Sequence, residues 1–254
     1  MTNNALRDFA KSCVAQSDLL PVWQPGSAIE VGDVGVVKDG IWESLTTIHE
    51  LGASLKTSKR EVRVDYRLHE AKTTSMEFHA DAKGKVPSIL DGHSGVSFEF
   101  HGAGAFALIA PQCTRTDVSN LLAAQKAIDS LRHAGRWKLE WAFVTTVVEA
   151  PSAAVVVAGQ DGGKASLDLG ASLTPNDYLN LSAFGAGAGF TFQHGIEGAY
   201  MVHDPSPVLF KAYRAYLDFW TSDTKFQAVK GGQAGFVDPR DTPIYLKPLE
   251  SLFD

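Results

Sequence analysis

Residues 92 to 95 read Gly-His-Ser-Gly, and a serine with a histidine beside it is where a nucleophile would be sought. A nucleophile elbow needs Gly-x-Ser-x-Gly on a strand-to-helix turn, which lifts the hydroxyl clear of the backbone, and this stretch is too short for that. "GAGAFA" from Gly102 has glycines like those of a dinucleotide fingerprint, but the residues after it do not open a helix whose N-terminus would hold a pyrophosphate. "GQDGGKAS" at 159–166 gathers glycines, a lysine and a serine without phosphate-loop spacing. The eight histidines are scattered, with neither His-Glu-x-x-His nor His-x-x-x-His on a helical run, so a metal centre is not expected. His69, His79 and His101 fall on the polar side of strand-like runs, where solvent contact is the simpler reading. The expectation is therefore no enzyme, no metal and no cofactor.

Charge and cysteine content narrow the rest. A net charge of −6 leaves no basic stripe able to neutralise many phosphates, and the densest basic stretch, "KTSKREVRVDYR", carries Glu61 and Asp65, so nucleic acid is not an expected partner. Cys13 and Cys113 are the only cysteines, too few and too isolated for a disulfide framework or a zinc site, which suggests a reducing compartment. "MTNNALRDFAKSCVAQSDLL" has no signal-peptide core, and no window approaches 18 uninterrupted apolar residues, so a cytoplasmic resting location is expected and a membrane role would have to use strands.

The elements that would position any site are legible from periodicity. Leu6, Phe9, Ala10, Cys13 and Val14 lie at helical spacing in residues 5–16. "IEVGDVGVVKDGIW" reads as two strands joined through Lys38-Asp39-Gly40. Val62, Val64, Tyr66 and Leu68 alternate with Arg63, Asp65, Arg67 and His69, and Met76 and Phe78 alternate with Glu77 and His79. These are half-solvated antiparallel strands. "VSFEFHGAGAFALIA" at 96–110 reads as one more strand, with Phe98, Phe100, Phe106 and Leu108 on one face, and the three together suggest a meander over 60–110. Its second half is apolar on both faces, and "FGAGAGFTF" at 184–192 dissolves into glycine and alanine in the same way. Small residues of this kind either let another layer approach closely or belong to strands whose surfaces must suit both a folded body and a bilayer.

Residues 115–134 predict a helix with Val118, Leu121, Leu122, Ile128 and Leu131 on one face, Thr116 or Asp117 as cap and Gly135 at its end. "WAFVTTVVEAPSAAVVVAG", "ASLDLGASL" and "YLNLSAFGAGAGFTF" are β-rich. "SPVLFKAYRAYLDFW" at 206–220 predicts a helix capped by Ser206, with Leu209, Phe210, Tyr213, Leu217 and Trp220 as its buried stripe. The fold class expected is α+β, a twisted, largely antiparallel central sheet with surrounding helices. A Gly-Gly-centred linker then leads to "IYLKPLESLFD", whose Ile244, Tyr245, Leu246, Leu249, Leu252 and Phe253 are too apolar for a solvated tail and should dock on the body.

This order of parts resembles the gasdermins, the bacterial members in particular. The residues that carry the resemblance are the opening helix leading into "LLPV", "IEVGDVGVV", the alternating run from Val62 to Ala110, the central helix, "WAFVTTVVEAPSAAVVV", and "PVLFKAYR" before a brief C-terminal segment. The resemblance implies a pore-former of bacterial immunity, with a pore-forming domain over residues 1–222, a cleavable linker over 223–235 and an autoinhibitory segment over 236–254. An activating protease would cut in the region of Lys225, Lys230, Gly231 and Gly235. The freed body would pass from a cytoplasmic monomer to a homo-oligomeric ring in the inner membrane, with membrane lipids as its partners, and cause cell death in antiphage defence. The resemblance also implies acylation of a cysteine near the N-terminus. Cys13 is the candidate for that palmitoyl group, with a plain buried core residue as the alternative reading.

In lipid every backbone N–H and C=O must be paired, so a chain without a membrane helix spans only as a closed barrel. In such a ring Val62, Val64, Tyr66, Leu68, Met76, Phe78, Phe98, Phe100, Phe106 and Leu108 would face lipid, and the same face would pack on the core of the resting monomer. A soluble α+β ligand- or partner-binding module without lytic activity is the competing reading, and a hydrolase of unrecognised type a weaker third.

Overall fold

A computed structural model of the chain describes residues 3–23, 27–38, 41–69, 73–79, 95–168, 189–202, 204–217 and 244–248. The first helix, α1 (Asn3–Ser17), buries Phe9, Ala10 and Cys13. Asp18 ends it at φ +61°, a conformation in which an L-residue cannot continue a helix. It lies against a ten-stranded antiparallel sheet.

That sheet is built from β1 (Leu20–Pro21), β2 (Asp33–Lys38), β3 (Ile41–Thr47), β4 (Thr57–His69), β7 (Phe106–Val118), β8 (Ala142–Ala150), β9 (Ala153–Ala158), β12 (Ile196–Val202), β13 (Ser206–Leu217) and β14 (Ile244–Pro248). Only Pro151 and Ser152 separate β8 from β9, and only residues 203–205 separate β12 from β13, so each of these pairs is one long bent path. β7 pairs with β4 along one edge, while its other edge meets β9 at Phe106–Ile109 and β8 at Thr114–Asp117. β12 flanks β9 and β13 flanks β8. The outer edge of β13 is covered by β1 at Leu209 and Phe210 and by β14 from Tyr213 to Leu217.

The remaining strands, β5 (Thr74–His79), β6 (Gly95–Phe100), β10 (Gly163–Asp168) and β11 (Gly189–His194), form a four-stranded sheet in the order β5-β6-β10-β11. It packs on the large sheet. Val96, Phe98, Phe100, Ala165 and Leu167 of the small sheet meet Ala107, Ile109, Ala154 and Val156 of the large one. The opposite face of β7 and β9, with Phe106, Leu108, Val155 and Val157, packs under Phe9 and Cys13 of α1. The runs "FALIA" and "AAVVVA" are thus a middle layer, and this is why they are apolar on both faces.

Several expectations are corrected. The stretch 96–110 is two strands in two sheets, and residues 60–110 are not a meander, because β4 pairs with β7 while β5 and β6 form a hairpin of the other sheet. The predicted helix at 206–220 is β13 over Ser206–Leu217. Val208 and Leu209 are buried in one part of the core and Phe210 and Ala212 in another, and in a run of that kind helical and strand spacing look alike. The predicted helix at 115–134 begins only at Leu121, since the β-branched residues before it extend β7, and neither Thr116 nor Asp117 caps it. Asn120 does, its side chain accepting from Ala123 N at 3.0 Å. The helix itself, α2 (Leu121–His133), buries Ala124, Ile128 and Leu131 over Phe143 and Ala215. With two helices among the described residues, the fold is mostly antiparallel sheet, more so than α+β implies.

Candidate functional site

The small sheet continues the large one strand for strand. β4 leads into β5, β6 into β7, β9 into β10 and β11 into β12, and the order β5-β6-β10-β11 repeats the order β4-β7-β9-β12. Four strand paths therefore break side by side along one crease. Backbone hydrogen bonds join neighbouring paths along it: His101 N to Thr73 O at 2.6 Å, Gly162 N to Phe100 O at 2.8 Å, Gly104 N to Ala158 O at 2.8 Å and Gly159 N to Gly195 O at 2.9 Å. Gly195 is held at φ +70°, and a Cβ there would sit 2.8 Å from Gly163 Cα, so only glycine fits where these paths turn. Among the described residues, His69 Nδ1 and Thr73 Oγ1 are buried beside the β4–β5 break without a hydrogen-bond partner.

The crease also exchanges faces. In β7 the even-numbered Phe106, Leu108 and Ala110 look toward α1, yet in β6 the even-numbered Val96, Phe98 and Phe100 look toward the large sheet. The β9–β10 path does the same, with Val155 and Val157 of β9 under α1 but Ala165 and Leu167 of β10 against the large sheet. Tyr66 and Leu68 of β4 and Met76 of β5 repeat it on the first path. Side chains alternate strictly along a strand, so a path straightened without a bulge would return all these residues to one face. The other face of the small sheet is polar: Ser97 Oγ lies 3.4 Å from Ser166 Oγ, and Lys164 Nζ lies 3.0 Å from Glu99 Oε1.

The residues predicted to face lipid do not form one surface in this fold. Phe98 and Phe100 are buried between the sheets, Phe106, Leu108 and Leu68 are buried toward α1, and Tyr66 and Met76 are half-buried. Val64 departs from the expected core packing. It is 43% exposed, because the β4–β7 register shifts on both sides of it. Val62 and Phe78 lie in β4 and β5. His101 is exposed and His69 half-buried, while His79 lies in β5. Periodicity located the strands but gave no sign of the crease, because glycines mark tight turns and close approaches alike.

Cys13 is fully buried in α1, and that burial pushes its thiol well above the ordinary range. Ile244, Tyr245 and Leu246 belong to β14, in register with Leu217, Tyr216 and Ala215. Leu249, Leu252 and Phe253, like Lys225, Lys230, Gly231 and Gly235, lie outside the described residues. A separate groove of about 380 Å³ opens between Val22, Trp23 and Ile29 on one side and Ile41 and Trp42 on the other. Among the described residues there is no group of three or more side chains able to hold a metal ion, and no helix is long and apolar enough to cross a membrane, which says nothing of a β-barrel.

No family model and no curated protein matches the chain. Among solved structures it is similar to a bacterial gasdermin from Bradyrhizobium tropiciagri, with 13% identity over 84% of this chain and 88% of that one, at a TM-score of 0.36. At that level the alignment is loose, and the fold described above stands on its own strand pairing.

Proposed function

We propose that this chain is a gasdermin-like pore-former, stored folded and redeployed across a bilayer. The observation that carries the reading is the exchange of faces at the crease. A path that runs as two strands with opposite faces buried in the resting fold becomes, on straightening, one strand with Val96, Phe98, Phe100, Phe106 and Leu108 on a single side. A soluble sandwich has no need for that arrangement, whereas a barrel wall in lipid requires it. Six-residue strands such as β5 and β6 fall short of the roughly 9–11 residues a tilted spanning strand needs, so joining each to its continuation across the crease supplies the missing length.

Regulation belongs to the same proposal. The segment 236–254 holds the body closed, with β14 on the edge of β13, until a protease cuts within 223–235. The freed chains then assemble as a ring in the inner membrane and kill the cell, and a palmitoyl group on Cys13 assists anchoring. The order of parts in the sequence and the pairing of β14 with β13 support this. The test is dye release from liposomes by the full chain carrying an engineered protease site at Lys230. Release is expected only after cutting. Release by the intact chain, or none by the cut one, overturns the proposal. The groove beside Trp23 and Trp42 favours the second reading, a soluble binding module, and for such a module cutting lowers stability without permeabilising anything.

A further inference from the structure

We infer that the two antiparallel pairs of the small sheet, the hairpins β5–β6 and β10–β11, leave the body as one ready-made four-stranded sheet, with the seam between β6 and β10 kept in its resting register. The inference rests on the pore-forming reading and concerns the order in which contacts are lost.

The seam is complete in the resting fold. Six positions pair along it, from Gly163 with Phe100 to Asp168 with Gly95, without a register shift. The rows on either side stay in phase: Met76 is in register with Phe98, Phe98 with Ala165 and Ala165 with Phe192. The next polar row runs from Glu77 through Ser97 and Ser166 to Thr191. Polar and apolar rows thus cross from one hairpin to the other without interruption. On the outer face the Ser97–Ser166 contact and the Glu99–Lys164 ion pair bridge the same seam.

The contacts that bind this sheet to the body are of another kind. Phe98, Phe100 and Leu167 meet Ile109, Ala154 and Val156 through apolar packing, which has no direction and which lipid tails replace without leaving a polar group bare. Parting β6 from β10 would instead strip a row of backbone N–H and C=O groups, each costing several kcal/mol if left unpaired in hydrocarbon. The difference decides the sequence of events. The layer contact yields first, and the seam, with the Gly162 N–Phe100 O bond that continues it at the crease, does not open.

A disulfide across the seam tests this. Ser97 and Ser166 are directly paired positions whose hydroxyls lie 3.4 Å apart, so the cysteines of S97C/S166C face each other across the seam, and E99C/K164C offers a second paired site on it. Both native cysteines are buried and stay in place. The full chain with the Lys230 protease site is oxidised, shown to be fully bridged by mass, cut, and added to phosphatidylethanolamine–phosphatidylglycerol vesicles. The reduced form of each variant is the folding control. Dye release by the bridged form within about twofold of the reduced form, a negligible barrier change, is the expected result. Release that falls tenfold or more on bridging and returns on reduction means that the hairpins must part. That outcome overturns the inference and leaves the pore-forming reading standing. If wild type and both reduced variants release no dye after cutting, the pore-forming reading fails and takes the inference with it.

Discussion

Cys13 and Gly195 are the two positions where one atom decides the outcome. The thiol of Cys13 is enclosed by the core beneath α1 and its ionisation is opposed by that burial, so the reactive thiolate is scarce and unreachable in the folded chain. Alkylation by iodoacetamide at mildly alkaline pH should be about a hundredfold or more slower than in urea, because it must await lifting of the helix. Fast labelling of the native chain would show that α1 detaches readily. Gly195 is tested by comparison with Gly135. Both have positive φ, +70° and +69°, but a Cβ on Gly135 meets nothing within 4 Å, whereas one on Gly195 runs into Gly163. Gly135→Ala should cost about 1–2 kcal/mol from backbone conformation alone, and Gly195→Ala more, because backbone must move as well. Urea midpoints give the ranking. Equal losses would mean that the crease is loosely held.

At the scale of elements, α1, β2 with β3, and the alternating parts of β4 and β5 were readable in the sequence, since each keeps one dominant face and one period. β13 was not readable, because a strand buried on both sides carries no alternation and its apolar residues also fit a helical stripe. The start of α2 is hidden for a related reason: Thr114, Thr116 and Val118 are strand formers in a ladder with β4 and β8, so Thr116 and Asp117, which have cap chemistry, belong to the strand and the cap falls to Asn120. Asn120→Ala should therefore cost about 1 kcal/mol of stability in urea unfolding, with the loss traceable to helix content. A neutral effect would remove the capping role. The crease was hidden most deeply, because the sequence "FEFHGAGAFALIA" keeps its parity across the break and reads as one strand. β14 supplies the element-scale test of the edge. Removing residues 236–254 uncovers β13 from Tyr213 to Leu217, and an uncovered central-type strand is a template for pairing with another chain. The truncated chain should elute from size exclusion as concentration-dependent oligomers, and a strictly monomeric product would show that β14 is not what shields that edge.

For the whole molecule, the resting fold and the proposed pore impose the same demand on the small sheet by different means. Ala165 is 2% exposed, its side chain facing the large sheet in the body and facing lipid in a straightened strand. Ser166, one residue on, faces solvent now and would face the aqueous lumen then, with Ser97 across the seam. Ala165→Asp should accordingly fail twice. It places an unpaired carboxylate between two apolar layers, lowering resting stability by several kcal/mol, and it adds a charge to the lipid face, where acidic residues are disfavoured in a depth-dependent way. Ser166→Asp should leave the melting temperature nearly unchanged and the cut chain still able to release dye. Thermal melts and liposome leakage on the two variants measure both states with one pair of substitutions. A soluble module would show the stability difference without any leakage. If Ala165→Asp and Ser166→Asp leaked alike after cutting, the face that is buried in the body would not be the face that meets the bilayer, and the exchange of faces at the crease would lose its purpose.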